Sequence, residues 1–173
     1  ARIVVLPVAF WAVALGFVRL AVVPAEHCGP GDAAGMRQAA VNAGGWLAEG
    51  QQPDGSYTYE YDRATGERSP FYNIVRHAGV TMSLYQIAGR LDDQRAFDSA
   101  ERGTAWMLAR LYRQDGWAAL TATGDSEANL GSSALMTIAL AERRLLTGET
   151  VHDEVLRELG RFMMVLQRPD GGF

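Results

Sequence analysis

Lysine is missing from this chain. All 16 basic residues are arginine, which excludes a lysine nucleophile or Schiff base. Cysteine occurs once, at Cys28, so an internal disulfide framework and a CxxC zinc site are both excluded. No basic cluster stands out, and the formal charge is -4, which argues against a nucleic-acid footprint. No convincing alternation of apolar and polar residues appears, so strands are expected to be minor at most.

What is present is a chain of 173 residues, 48% hydrophobic, enough for one domain with a sizeable core. Ile3 to Val23 is apolar apart from Arg19. A bilayer core needs about 20 such residues. Arg2 precedes the run, while Glu26 and Asp32 follow it, an asymmetry that favours a domain on the extracytoplasmic side. Residues 1–28 are therefore expected to be a signal anchor or signal peptide, contacting the membrane through one hydrophobic helix. Val23-Pro24-Ala25 offers a weak cleavage site. The alternative is a helix buried in the domain.

Residues 29–173 read as helices. Asp32 caps a helix to about Glu49, with Met36, Ala40, Ala43 and Leu47 on one face and Gly50 as its left-handed stop. Ser69-Pro70 looks like the start of a second helix, ending near Gly89. Asp92 or Asp93 caps a third, with Phe97, Ala100, Thr104, Met107 and Leu111 as its stripe. Asp125-Ser126 precedes a fourth, striped by Leu130, Ala134, Ile138 and Leu145 and stopped at Gly148. Thr150 and Asp153 resemble a capping box for a fifth, striped by Val155, Leu159, Phe162 and Leu166. The second and fourth helices are expected in one layer, the other three in another.

One turn recurs. Gln51-Gln52-Pro53-Asp54-Gly55-Ser56-Tyr57 has a close copy in Gln167-Arg168-Pro169-Asp170-Gly171-Gly172-Phe173 and a looser one in Arg113-Gln114-Asp115-Gly116-Trp117. Each follows a helix ending in a large apolar pair: Trp46-Leu47, Phe162-Met163 and Trp106-Met107. Asp accepts from nearby amides, and Gly supplies the positive φ that reverses the chain. A helix hairpin cannot bury both faces alone, so a period of such units implies an array.

This turn resembles the Gln-x-x-x-Gly-Trp-like motif of the α/α-toroid superfamily, with Tyr57 and Phe173 in place of Trp. That superfamily includes squalene-hopene cyclases, protein prenyltransferase β subunits, glucuronyl epimerases and polysaccharide lyases. The resemblance covers about Asp32 to Phe173. It implies an all-α fold of antiparallel helical hairpins, a partial α/α toroid continuing past Phe173 in a longer protein. The cyclase acidic donor cluster is missing, since Leu91-Asp92-Asp93-Gln94 reads as a helix cap. The prenyltransferase zinc ligands are missing too, so no metal or cofactor is expected.

The residues that can carry chemistry gather before and at the second helix. Asn73, Arg76 and His77 stand at i, i+3 and i+4. Tyr57, Tyr59 and Tyr61 alternate with Glu60 and Asp62 just upstream. Aromatic faces stack on sugar rings, acids bond hydroxyls, and Arg76 suits a uronate carboxylate. His77 is the candidate acid or base, opposed by Tyr59 or Glu60, with Arg76 assisting. Tyr57, Tyr61, Asp62, Asn73, Glu127 and Asn129 are candidate substrate-binding residues. The competing reading pairs Arg76 with Glu60 or Asp62 and buries His77 against a carbonyl. The expectation is an extracytoplasmic domain acting on, or binding, a carbohydrate or sugar acid, small or polymeric. The alternatives are a terpenoid toroid and a non-catalytic helical-repeat binding domain.

Overall fold

A computed structural model describes residues 2–22, 31–122 and 128–173. The chain divides into two compact units, Ala1–Met36 and Arg37–Phe173, a boundary several residues beyond the one expected after residue 28.

The first unit holds helix α1, Arg2–Phe17, which contains Pro7 and passes into a π-helical segment, Val18–Val22. No described helix is long and apolar enough to cross a membrane. The α-helical part has 16 residues, about 24 Å at 1.5 Å per residue, against a hydrocarbon core of about 30 Å. The expected cleavage site and Cys28 lie outside the described residues. Asp32 caps the next helix, α2, Ala33–Glu49, its Oδ1 accepting from Gly35 N at 2.8 Å.

The second unit is mainly helical with one small sheet. It holds helices α3 (Ile74–Leu91), α4 (Gln94–Leu108), α5 (Leu130–Thr147) and α6 (Asp153–Leu166) and a hairpin of β1 (Leu111–Gln114) and β2 (Trp117–Leu120). The strands are antiparallel, with Leu111 opposite Leu120 and Gln114 opposite Trp117. Asp115 and Gly116 both have positive φ, 48° and 80°. That is the two-residue turn whose twist matches paired strands, so the middle Asp-Gly closes a hairpin.

Helix α3 packs along α5 on one side and α4 on another, while α6 lies on β2 and α5. Leu84, Tyr85, Met107, Leu120, Met136, Leu140 and Leu159 are fully buried between them. Each such aliphatic side chain contributes roughly 1.5–3 kcal/mol. At one end of this core, Arg143 bridges three elements. It donates to both Glu101 oxygens at 2.7 and 3.1 Å and to Glu149 at 2.8 Å. Tyr85 donates to the same Glu101 at 2.5 Å, so α3, α4 and α5 share one polar clamp.

Several expected details are corrected. Helix α3 starts after Asn73, whose Oδ1 accepts from Arg76 N, and not at Ser69-Pro70. Ser69 instead closes a loop hairpin, donating its N–H to Glu60 O at 3.0 Å. Helix α3 runs past Gly89 to a left-handed Asp92, and Asp93 caps α4. Gly50 takes no positive φ. Asn129 caps α5. His152 is the α6 cap residue without a side-chain bond, so the Thr150–Asp153 box does not form. Leu111 lies in β1 and not in α4.

Two stripes also turn out differently. Leu145 is 79% exposed and Ile138 is 43% exposed; α5 buries Ser132, Ser133, Met136, Ala139, Leu140 and Arg143 instead. The serines allow close approach and stay satisfied: Ser132 Oγ donates to Leu120 O, and Ser133 Oγ accepts from Leu120 N. Met36 is exposed, and the buried positions of α2 are Gly44 and Gly45. Gly44 lets α2 approach α3 closely, because a Cβ there would lie 3.2 Å from the Ile87 side chain, which would have to shift by a few tenths of an ångström.

Candidate functional site

His77 sits one turn into α3 and is 2% exposed. Its Nε2 lies 2.9 Å from Gly103 O, an atom that can only accept, so Nε2 carries the proton. Its Nδ1 then accepts from the Tyr72 hydroxyl at 2.6 Å. The ring stacks on Trp106 at 4.2 Å between centroids. Burial lowers its pKa from 6.5 to about 4, the dominant influence, with the bond to Gly103 partly opposing it. A neutral, fully bonded imidazole results.

The neighbours lock this arrangement. Tyr72 O accepts from Tyr57 N at 3.0 Å, and burial pushes the Tyr72 pKa up to about 12. Tyr57 is itself buried, its hydroxyl donating to Ser99 O at 3.3 Å. Burial raises its pKa as well. Gly103 admits the phenol: a Cβ there would meet Tyr57 Oη at 2.5 Å.

The expected site residues separate into groups. Tyr57 and His77 belong to the core. Asn73 and Asn129 are helix caps, each Oδ1 accepting from the amide three residues on. Asp62 Oδ1 accepts from Ala64 N and Thr65 N and stabilises a loop turn. Tyr61 bridges to Arg68 across that loop and is half exposed. Glu60 lines a different hollow, with Arg68, Ser69 and Phe71. Glu127 lies outside the described residues. Neither Arg76 with Glu60 nor Arg76 with Asp62 forms an ion pair.

Tyr59 and Arg76 do come together. The Arg76 guanidinium lies 4.8 Å from the Tyr59 ring centroid. They line a cavity of about 150 Å³ with Trp46, Leu47, Tyr72 and Val80, and the core residues Tyr57 and His77 and the cap Asn73 border the same cavity. Trp46 is 63% exposed and also lines a larger hollow of about 450 Å³, with Thr58, Tyr61 and Arg68. The two hollows share Trp46 and Thr58, with Arg76 and Tyr59 lining the smaller and Arg68 and Tyr61 the larger. Arg68 donates to Gln52 Oε1. Among the described residues no group of three or more His, Cys, Asp or Glu side chains is placed to hold a metal ion.

Trp46 and Arg68 were missed by sequence reasoning. Trp46 reads as half of an apolar pair that ends a helix, and Arg68 received no reading. The recurrence of a large pair before each Asp-Gly turn was a signal that this Trp occupies a structured place, though not that its indole is exposed. No protein-family model, no curated protein and no solved structure matches this chain.

Proposed function

We propose that the second unit binds a carbohydrate carrying carboxylate groups, a uronate chain or a related sugar acid, in the two hollows that share Trp46. One observation carries this reading: an exposed Trp46 lines two hollows that each hold an arginine, one of them, Arg76, facing a tyrosine ring and free of a carboxylate partner among the described residues. Indole and phenol faces stack on sugar rings, and a guanidinium fork holds a carboxylate bidentately. In this reading His77 positions Tyr72 and Trp106 from beneath. To act as acid or base it would first have to lose the Tyr72 hydroxyl from Nδ1 and gain a path to solvent.

The wider frame belongs to the same proposal. The helical hairpins, with α3 beside α5 and α4 and α6 against that pair, support an α/α-toroid type of array. Placement outside the cytoplasm, held at a membrane by the first unit, is supported by the exposed apolar residues of α1, among them Phe10, Trp11, Leu15 and Phe17.

Calorimetric titration tests the binding reading. A uronate oligosaccharide should bind the full chain, its neutral counterpart should bind at least about tenfold more weakly, and Arg76→Ala should remove the difference. Equal binding of both sugars, or of neither, rejects it.

A further inference from the structure

Arg68 stands on a short loop hairpin whose backbone is held on both sides. Tyr61 and Arg68 bridge across it, Ser69 N–H donates to Glu60 O at 3.0 Å, and Asp62 N–H donates to Glu67 O at 2.8 Å. Residues paired in this way project to one face. Both line the larger hollow, with Trp46 and Thr58.

Gln52 aims the guanidinium. Both donor positions of its amide are taken: Nε2 donates to Gly50 O and to Thr58 Oγ1, each at 3.0 Å. Thr58 Oγ1 gives its own proton to Gly50 O at 2.9 Å, so it can only accept from Gln52. The amide is thereby fixed in one orientation, and its Oε1 accepts from Arg68 Nη1. An uncharged acceptor holds the cation without cancelling it. Among the described residues Arg68 forms no ion pair, although Glu60 and Glu67 border a neighbouring hollow with it. Glu49 also lines the larger hollow, but its carboxylate is paired with Arg95 at 3.2 Å. The rest of the Arg68 fork stays open.

Arg76 is held alike by other means, over the Tyr59 ring and without a carboxylate partner among the described residues. The two hollows differ in size. The smaller, about 150 Å³, falls below the roughly 300–1,000 Å³ of a small-molecule site, and the larger, about 450 Å³, falls within it. A sugar confined to either hollow reaches one guanidinium. A sugar that reaches both has to pass Trp46.

Building on the uronate reading above, we propose that Arg68, positioned by Gln52, is a second carboxylate subsite, and that the ligand is an oligouronate whose separate acid groups pair with Arg76 and Arg68 at once. Arg76 is the anchor, because the smaller hollow surrounds it with Trp46, Leu47, Tyr59 and Val80. Arg68 is exposed, so its contact alone is weak; it counts once the sugar is held at Arg76 and the second pairing becomes intramolecular. Trp46, common to both hollows, stacks on the sugar between them.

Calorimetric titration of the full chain with sugars of one length tests it: a uronate trisaccharide, the same trisaccharide with a single carboxylate, and its neutral form. The fully acidic sugar should bind about fivefold more tightly than the single-acid one, the effect of one exposed ion pair. Arg68→Gln should remove that step and leave the single-acid sugar within about twofold of its original affinity, still ahead of the neutral form. Gln52→Glu, which sets a carboxylate against Arg68, should do the same with an unchanged dichroism spectrum. In both variants salt should weaken binding of the fully acidic sugar less steeply than in the native chain. Equal affinity of the native chain for the two acidic sugars, or a step that survives Arg68→Gln, overturns the second subsite and leaves Arg76 its role. An equal loss for both acidic sugars in the variants also overturns it, since Gln52 and Arg68 would then only support the loop. A single-acid sugar that binds no better than the neutral one removes the uronate reading itself, and this inference with it.

Discussion

The hydroxyl of Tyr72 and Nδ1 of His77 are 2.6 Å apart, and the Gly103 carbonyl on the far side of the ring fixes which atom donates. The pair joins the loop before α3 to α4 through a residue of α3. A cation at His77 would have to reverse the Tyr72 bond, because Nδ1 would then donate and the hydroxyl, which already accepts from Tyr57 N, would have to send its own proton elsewhere.

This gives a pH dependence with a definite sign. The folded pKa of about 4 lies below the ordinary 6.5, so between these values the unfolded chain binds the extra proton. Stability is full above about pH 6.5 and falls as pH drops toward 4, by up to about 3 kcal/mol. Urea unfolding at pH 7 and pH 4.5 should show this loss in the native chain. His152 shifts in the same direction through burial, so the contribution of His77 is isolated by His77→Gln, which cannot titrate there. The variant should be less stable at pH 7 and lose less stability on acidification. Equal acid sensitivity of both proteins counts against a neutral His77.

Truncation at the same position separates packing from chemistry. His77→Ala removes a ring stacked on Trp106 and orphans Gly103 O and Tyr72. A loss of about 3 kcal/mol is expected. Arg76→Ala, on the exposed side of the same turn, should alter the unfolding midpoint by about 0.5 kcal/mol or less, while removing uronate binding. Unchanged stability in His77→Ala would return the histidine to the list of catalytic candidates.

Much of the helix order was legible because caps and stops are local. Asp32, Asp93 and Gly148 act where the sequence places them. Ser69-Pro70 misled because a good local cap signal was claimed by a longer-range bond, Ser69 N to Glu60 O, and Asn73 took the role. The α5 stripe failed for a different reason. Apolar periodicity does not count Ser132, Ser133 or Arg143, which are buried by virtue of partners on β2 and α4. The candidate site suffered likewise. The alternation of Tyr57, Tyr59 and Tyr61 suggested one shared face, but the loop is not a strand, and the three rings run from buried to exposed. Tyr59 with Arg76 was within reach of sequence spacing; Trp46 and Arg68 required the fold of the loop.

The clamp at Arg143 should be costly to break. Its guanidinium is largely buried, and bonds to Glu101, the main cause, raise its pKa, so it stays charged when a partner is removed. Glu101→Gln keeps the volume but leaves that cation with Glu149 as its remaining ion-pair partner. Because Glu101 is about one-third exposed, water offsets part of the loss, and about 2 kcal/mol is expected, below the range for a dry pair. Arg143→Met should cost less than Glu101→Gln, since it removes the buried charge outright. Denaturant midpoints in the reverse order would show that the Arg143 stem and not its charge holds α5.

The two copies of the turn offer a comparison inside one molecule. Gly55 and Gly171 share a positive φ and the same internal bonds, so alanine imposes the same backbone strain at either, about 1 kcal/mol. Their surroundings differ. A Cβ at Gly55 would lie 2.6 Å from Arg102 O, a backbone atom of α4 that cannot swing away, whereas a Cβ at Gly171 meets nothing within 4 Å. Gly55→Ala must therefore lift the turn off α4, stretching the Gln51 bonds to Ser99 and Arg102 and moving the Tyr57 ring. A total of about 3 kcal/mol is expected there, against about 1 kcal/mol for Gly171→Ala in dilute solution. The excess measures the contact between turn and helix, since the strain cancels between the variants. If the two alanines cost the same, the seat on α4 adds nothing to the turn.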